Sequence, residues 1–227
     1  MLSGLCAGGT PNGTITNLTI GPTATWIGSA SSRTNATTFD WGNFVFGSDG
    51  LAIVLGFGRT TNNVTQSTLT IGGNAATKYY GEIDGDVNTS VAVWVLAITA
   101  GTLDITTTYS GATGATNYSC VGVWLLTNYL NAAPIDGKYH DNGGASTSNP
   151  ISLSSPRKSI TTYFNYHSNA NGTSWDTATE QADILATDRT LSYADYTNNT
   201  GVDDVSFTQT PSWTTNASGL GFAAVWM

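Results

Sequence analysis

The chain has 227 residues, of which 40% are hydrophobic, 11% aromatic and only 10% charged. With 15 acidic against 7 basic residues its formal net charge is −8, which repels a phosphate backbone and supplies no basic cluster for an anionic membrane, so neither nucleic acid nor membrane is an expected partner. No apolar run reaches the roughly 20 residues of a spanning helix.

Polarity is carried by Thr, Ser, Asn and Gly. Threonine is β-branched and suits a pleated strand, while Asn and Gly suit tight turns. Residues 1–13 are punctuated by Gly and Pro and read as an N-terminal arm; they lack the positive region and long apolar stretch of a secretion signal, so synthesis in a cytoplasm is expected. Cys6 and Cys120 are the only cysteines and read as two reduced thiols.

Behind the arm, residues 14–20 form a weak strand signal, followed by a Ser/Thr-rich stretch to Thr38. A stronger signal runs through Phe44-Val45-Phe46, a turn at Ser48-Asp49-Gly50, and the apolar run 51–57. Short strands then recur at 67–71, 75–80, 90–98, 103–109 and 118–127, separated by Gly-Gly, Asp-Gly and Ala-Gly turns. A long loop over 128–149 precedes further strands at 151–153, 159–166, 175–179, 190–194, 205–210 and 219–226. No stretch carries a sustained 3.6-residue apolar period with caps, although 178–185 has room for one short turn of helix. The expectation is an all-β, jelly-roll-like antiparallel β-sandwich in which residues 14–227 form a single domain. Its core includes Ile53, Leu55, Val93, Val95, Val123, Leu125 and Phe222.

Three strands share a pattern: Val93-Trp94-Val95, Val123-Trp124-Leu125 and Val225-Trp226-Met227. Strict alternation makes both faces of such strands apolar. They are therefore either central and covered, or exposed to another subunit. On the second reading Trp94, Trp124 and Trp226 form the interface of a homo-oligomer.

Chemistry is sparse. His140 and Asp141 lack a nucleophile elbow that would complete a triad, and the only other histidine is His167. Two distant histidines and two isolated cysteines have no zinc-ligand spacing, and two glutamates, Glu82 and Glu180, give no paired acid and base. No catalytic residue and no cofactor is expected. Asp84, Asp86 and Asn88 place oxygens at alternate positions, a weak calcium candidate whose twelfth position falls in a strand at Val95. Tyr139, Trp175 and Tyr196 have the flat faces that stack on sugar rings and are candidate glycan contacts.

The stretch Ser67-Thr-Leu-Thr-Ile-Gly-Gly-Asn-Ala-Ala-Thr77 resembles a recurring motif of tailed-phage accessory virion β-sandwich proteins, in which a strand enters a Gly-Gly turn and leaves through Ala-Thr. The order Val93–Leu96, Thr99-Ala-Gly-Thr102, Val123–Leu126 and a closing strand ending at Trp226 is similar to that group. The resemblance implies a non-enzymatic structural component of a virion, assembled in the host cytoplasm. Two roles stay open. One is a capsid decoration or cement protein that binds the major capsid protein, the threefold symmetry common in this group implying a homotrimer; the other is a tail-fibre or receptor-binding module that recognises host glycan.

Overall fold

The computed structural model describes residues 21–59, 64–84, 89–112, 118–141, 144, 146–156, 158–186, 189–198 and 204–227. Among these every regular element is a β-strand and every pairing is antiparallel. The all-β antiparallel expectation is met, and no sheet closes on itself.

The first half contributes β1 (Thr23–Ser32), β2 (Thr38–Phe46), β3 (Gly50–Arg59), β4 (Gln66–Ile71), β5 (Asn74–Ala75), β6 (Thr77–Asp84), β7 (Thr89–Ile98), β8 (Gly101–Tyr109) and β9 (Ser119–Thr127). They form a five-stranded sheet, β1-β9-β3-β7-β6, and a four-stranded sheet, β2-β8-β4-β5. The second half contributes β10 (Asp136–Asp141), β11 (Ser146–Ser148), β12 (Ile151–Ser155), β13 (Ser159–His167), β14 (Thr179–Ala186), β15 (Arg189–Asn198), β16 (Asp204–Gln209), β17 (Ser212–Ala217) and β18 (Gly219–Trp226). Its five-stranded sheet is β10-β18-β13-β15-β14, accompanied by the pairs β11-β17 and β12-β16.

The pairings are nested. In the first half β4 pairs β5, β3 pairs β7, β2 pairs β8 and β1 pairs β9. In the second, β13 pairs β15, β11 and β12 pair β17 and β16, and β10 pairs β18. Each five-stranded sheet therefore runs first strand, last strand, central strand and then a two-strand hairpin, and the two halves repeat one plan. The repeat extends to the isolated bridge Ser174↔Ser212, which stands where the first half has β4 against β8.

The layers follow from side-chain alternation. Leu51, Ile53, Leu55 and Phe57 of β3, with Val91, Val93 and Val95 of β7 and Trp124 of β9, meet Ile160, Phe164, Leu191, Tyr193, Phe222 and Trp226 of the other five-stranded sheet. The opposite face, with Ala52, Val54, Trp94, Val123 and Leu125, meets Phe39, Trp41, Phe46, Leu69 and Ile105 of the four-stranded sheet. On the far side of the second five-stranded sheet, Tyr163, Ala194, Ala223 and Val225 meet Ile151, Leu153 and Phe207. Both central sheets are thus covered on both faces by this chain's own strands, and every core position expected from alternation is buried.

Local differences have local causes. The stretch expected to be a loop over 128–149 contains β10 and β11, whose polar residues are held by pairing with β18 and β17 rather than by burial. The stretch with room for a helical turn is strand β14, fixed by its ladder to β15. Of residues 175–179, expected as a strand, 176–178 are bends and only Thr179, where β14 begins, is in a strand. The Ser/Thr-rich stretch holds β1, which completes the sheet edge beside β9. The weak strand at 14–20 and the arm lie outside the described residues.

Trp94, Trp124 and Trp226 are 3%, 0% and 0% exposed. Their assignment to a subunit interface is corrected: the faces that carry them are filled by neighbouring layers of the same chain. Trp124 is the most heavily engaged, edge-on to Trp26 at 4.7 Å and donating its indole N–H to Asp195 Oδ2 at 2.9 Å. Truncating so large a buried aromatic leaves a cavity costing about 3–5 kcal/mol. Trp124→Ala is therefore expected to lower unfolding free energy by about that amount while leaving the association state unchanged in light scattering; a change in association with unaltered stability would contradict this placement.

Candidate functional site

The second half's interior is more polar than the first's. Alternation along β13 turns Thr161, Tyr163, Asn165 and His167 away from the central apolar layer, and all four are buried. Asn149 Nδ2 donates to Asn165 Oδ1 at 3.3 Å. His167 stacks on Trp213 at 4.5 Å, and its Nε2 lies 3.1 Å from Thr173 Oγ1. Asp183 Oδ2 accepts the Thr173 backbone N–H at 2.8 Å.

A hydroxyl beside a histidine invites comparison with a catalytic pair. The arrangement lacks its requirements: His167 Nδ1 has no hydrogen-bond partner, so no carboxylate stands behind the ring as in a triad, and Thr173 is only 4% exposed. A nucleophile needs an oriented base and an approach for substrate. Burial pushes His167 down to about 4, keeping it neutral. His140 and Asp141 are successive residues of β10, so their side chains leave on opposite faces. Among the described residues no group of three or more His, Cys, Asp or Glu could hold a metal. Cys120 is buried with its thiol 3.0 Å from Tyr193 Oη, and burial pushes it up to about 12, out of reach of thiolate chemistry.

The candidate glycan contacts are not free platforms. Trp175 is half-buried, its ring 5.7 Å from Tyr163 and its Nε1 donating to Ser192 Oγ at 2.8 Å. Tyr196 stacks on Phe207 at 4.3 Å, and both pack on the outermost apolar layer of the second half. Tyr139 packs instead against the central layer. These contacts hold one side of each ring against the chain's own layers and leave each residue half-exposed. Asp86 and Asn88 lie outside the described residues, as does the side chain of Asp84, so the calcium candidate gains no geometry.

What the chain presents outward is the free face of the four-stranded sheet. Thr38, Asp40, Asn43 and Val45 of β2 stand beside Thr102 and Asp104 of β8, with Ser67 and Thr68 of β4. Thr38 and Thr108 face each other with hydroxyls 3.4 Å apart, and Ser67 Oγ donates to the Thr108 carbonyl at 2.9 Å. Val45 is 68% exposed. At one end of this sheet Ile71, Leu96, Ile98 and Leu103, with Asn74 and Thr99, line a half-open hollow of about 340 Å³. Short hydroxyl side chains have little rotamer entropy to lose when such a face is covered. The sequence signal for this surface was the Thr-rich alternation of β8, where Ile105 and Thr107 point inward while Thr102 and Asp104 point outward.

No protein-family model, no curated protein and no solved structure matches the chain.

The buried polar seam makes stability depend on pH with opposing signs. His167 titrates near 4 when folded and near 6.5 when unfolded, so its contribution is complete above pH 6.5 and is lost as pH falls toward 4. Burial raises Asp183 and Asp195, which have the opposite sign: their contribution is present below the unfolded carboxylate value and lost as pH rises through the folded one. His167→Phe is expected to flatten the loss of thermal midpoint between pH 6.5 and 4, and Asp195→Asn to flatten the loss on the rising side. Unchanged slopes in both variants would show that other groups govern acid behaviour.

Proposed function

We propose that the chain is a non-enzymatic structural protein of a tailed-phage particle, a decoration or cement protein that binds the major capsid protein on the outside of the shell. The observation that carries this reading is the division of labour in the fold. The interior is consumed by packing, which leaves the Thr-, Ser- and Asn-rich face of the β2-β8-β4-β5 sheet, with Asp40 and Asp104, as the working surface.

The nested strand order supports a jelly-roll reading of each half. In the first, β1-β9-β3-β7 faces β2-β8-β4-β5, the alternation of paired strands between two sheets that a rolled-up long hairpin produces. The second half repeats it with a shortened outer layer. The proposal is thus two jelly-roll-like sandwiches stacked through their five-stranded sheets.

Homotrimer formation belongs to the same proposal, since closed symmetry lets one surface be used repeatedly. The contact surface proposed is the outer sheet face around Val45 and Thr102 rather than the tryptophans. Quantitative mass spectrometry of purified particles is expected to find hundreds of copies on the shell. A handful of copies confined to the tail would replace this reading by the fibre or receptor-binding one. The paired variant Val45→Arg with Thr102→Arg should leave the melting temperature within about 2 °C yet weaken shell binding by about tenfold or more, a loss of about 1.4 kcal/mol.

A further inference from the structure

Two strands overhang their neighbours at one end of the first half. Strand β3 pairs with β7 as far as Ile98, opposite Gly50, whereas β6 on the other side begins only at Thr77, opposite Val95. Residues 96–98 of β7 therefore have a paired strand along one edge alone. In the outer sheet β2 pairs with β8 as far as Gly101, while β4 stops at Ile71, opposite Ile105. Past that point the β4 side of β8 receives the Gly72 N–H, donated to the Asp104 carbonyl at 2.8 Å, and residues 101–103 carry no paired strand there.

The gap between the overhangs is apolar. Alternation turns Leu96 and Ile98 of β7 toward the layer filled by Ala92 and Trp94, and Leu103 of β8 toward the layer that holds Ile105. With Ile71 and Asn74 these residues line the half-open hollow of about 340 Å³, and Leu96, Ile98 and Leu103 stay partly exposed at its mouth. A main-chain edge beside apolar pockets is what an extended segment needs in order to add to a sheet: the ladder binds its backbone and the pockets take alternate side chains. Native chains generally cover such an edge, because left open it pairs with any free strand.

The register shows which segment is in place to cover it. Thr23 of β1 pairs with Thr127 of β9, Leu126 pairs with Leu51 of β3, and Gly50 pairs with Ile98. Thr23, Thr127, Gly50 and Ile98 thus stand in one row across four strands, and the lane that β6 leaves open lies one strand further, about 19 Å from Thr23 at the usual spacing. Strand β1 runs away from this row, so the residues before it leave at the hollow's end of the sheet. Among them Thr14-Ile-Thr-Asn-Leu-Thr-Ile20 carries no charge and is rich in the β-branched residues that favour strands. Leu18, about 17 Å of extended chain from Thr23, falls just short of the open lane, whereas Ile15, about 27 Å away, reaches it. We propose that residues 14–20, which lie outside the described residues, cross this end of the sheet and add to the open edge of β7, with the Ile15 side chain entering the hollow. The short tether to β1 favours the segment of the same chain over that of a second copy. This docking is independent of the virion reading and would stand if that reading failed.

The test is amide hydrogen exchange, read by mass spectrometry over residues 96–104, with unchanged exchange over 160–166 of β13 as the sign that the fold is intact. The fastest-exchanging amides of 96–104 are expected to exchange about tenfold faster or more in the Ile15→Asp variant, and in a chain lacking residues 1–20, than in the full chain. Removal of residues 1–13 alone should leave them protected, as should Leu185→Asp, a substitution at a 59% exposed position on β14. A synthetic peptide of residues 14–20 added to the shortened chain should restore the protection saturably. Equal exchange in the full chain and the Ile15→Asp variant, or no response of the shortened chain to the peptide, would overturn the proposal. Protection of the full chain that is lost on dilution would place a second copy's segment in the hollow and overturn the assignment to the same chain.

Discussion

Burial of both central sheets on both faces is the constraint from which the rest of the structure follows. A β3 residue whose neighbours point alternately into two apolar layers has no wet side, so Leu51 to Phe57 is apolar throughout and β7 and β9 read likewise. Close approach of the layers also dictates small residues: the ring of Tyr193 lies across Gly122, where a Cβ would collide with it. The same approach brings Trp26, Trp124 and Tyr193 into one aromatic group that joins the two halves.

With apolar packing on both sides, several of the polar groups that enter the interior are held by specific partners. Asp195 reaches the Trp124 indole, Gln66 accepts from Trp94 and lies beside Ser90, and Trp41 donates to Thr107. The second half is more polar inside, with Asn149, Asn165 and His167 all buried. Its outer layer is broken into two strand pairs, with register shifts in each, so it offers fewer apolar partners, and β13 answers with side chains that can bond to loops.

Strand and turn chemistry in the sequence was sufficient for the class of fold and for the core. Val93, Val95, Ile53 and Leu55 could be placed inside from alternation alone, because a period of two with apolar residues has few other solutions. Local chemistry misled where pairing, rather than composition, makes the element. Strands β10 and β14 are polar enough to read as loop or helix and are strands only because β18 and β15 present open edges to them.

The candidate sites divide along the same line. Sequence alone established that the tryptophan strands are apolar on both faces, and it excluded a nucleophile motif and zinc-type ligand spacing. It did not decide what covers those faces, since a neighbouring layer and a neighbouring subunit impose the same pattern. Only the tertiary structure settles that the cover is the chain itself, because strands about a hundred residues apart, such as those carrying Phe57 and Tyr166 with rings 5.0 Å apart, meet only on folding.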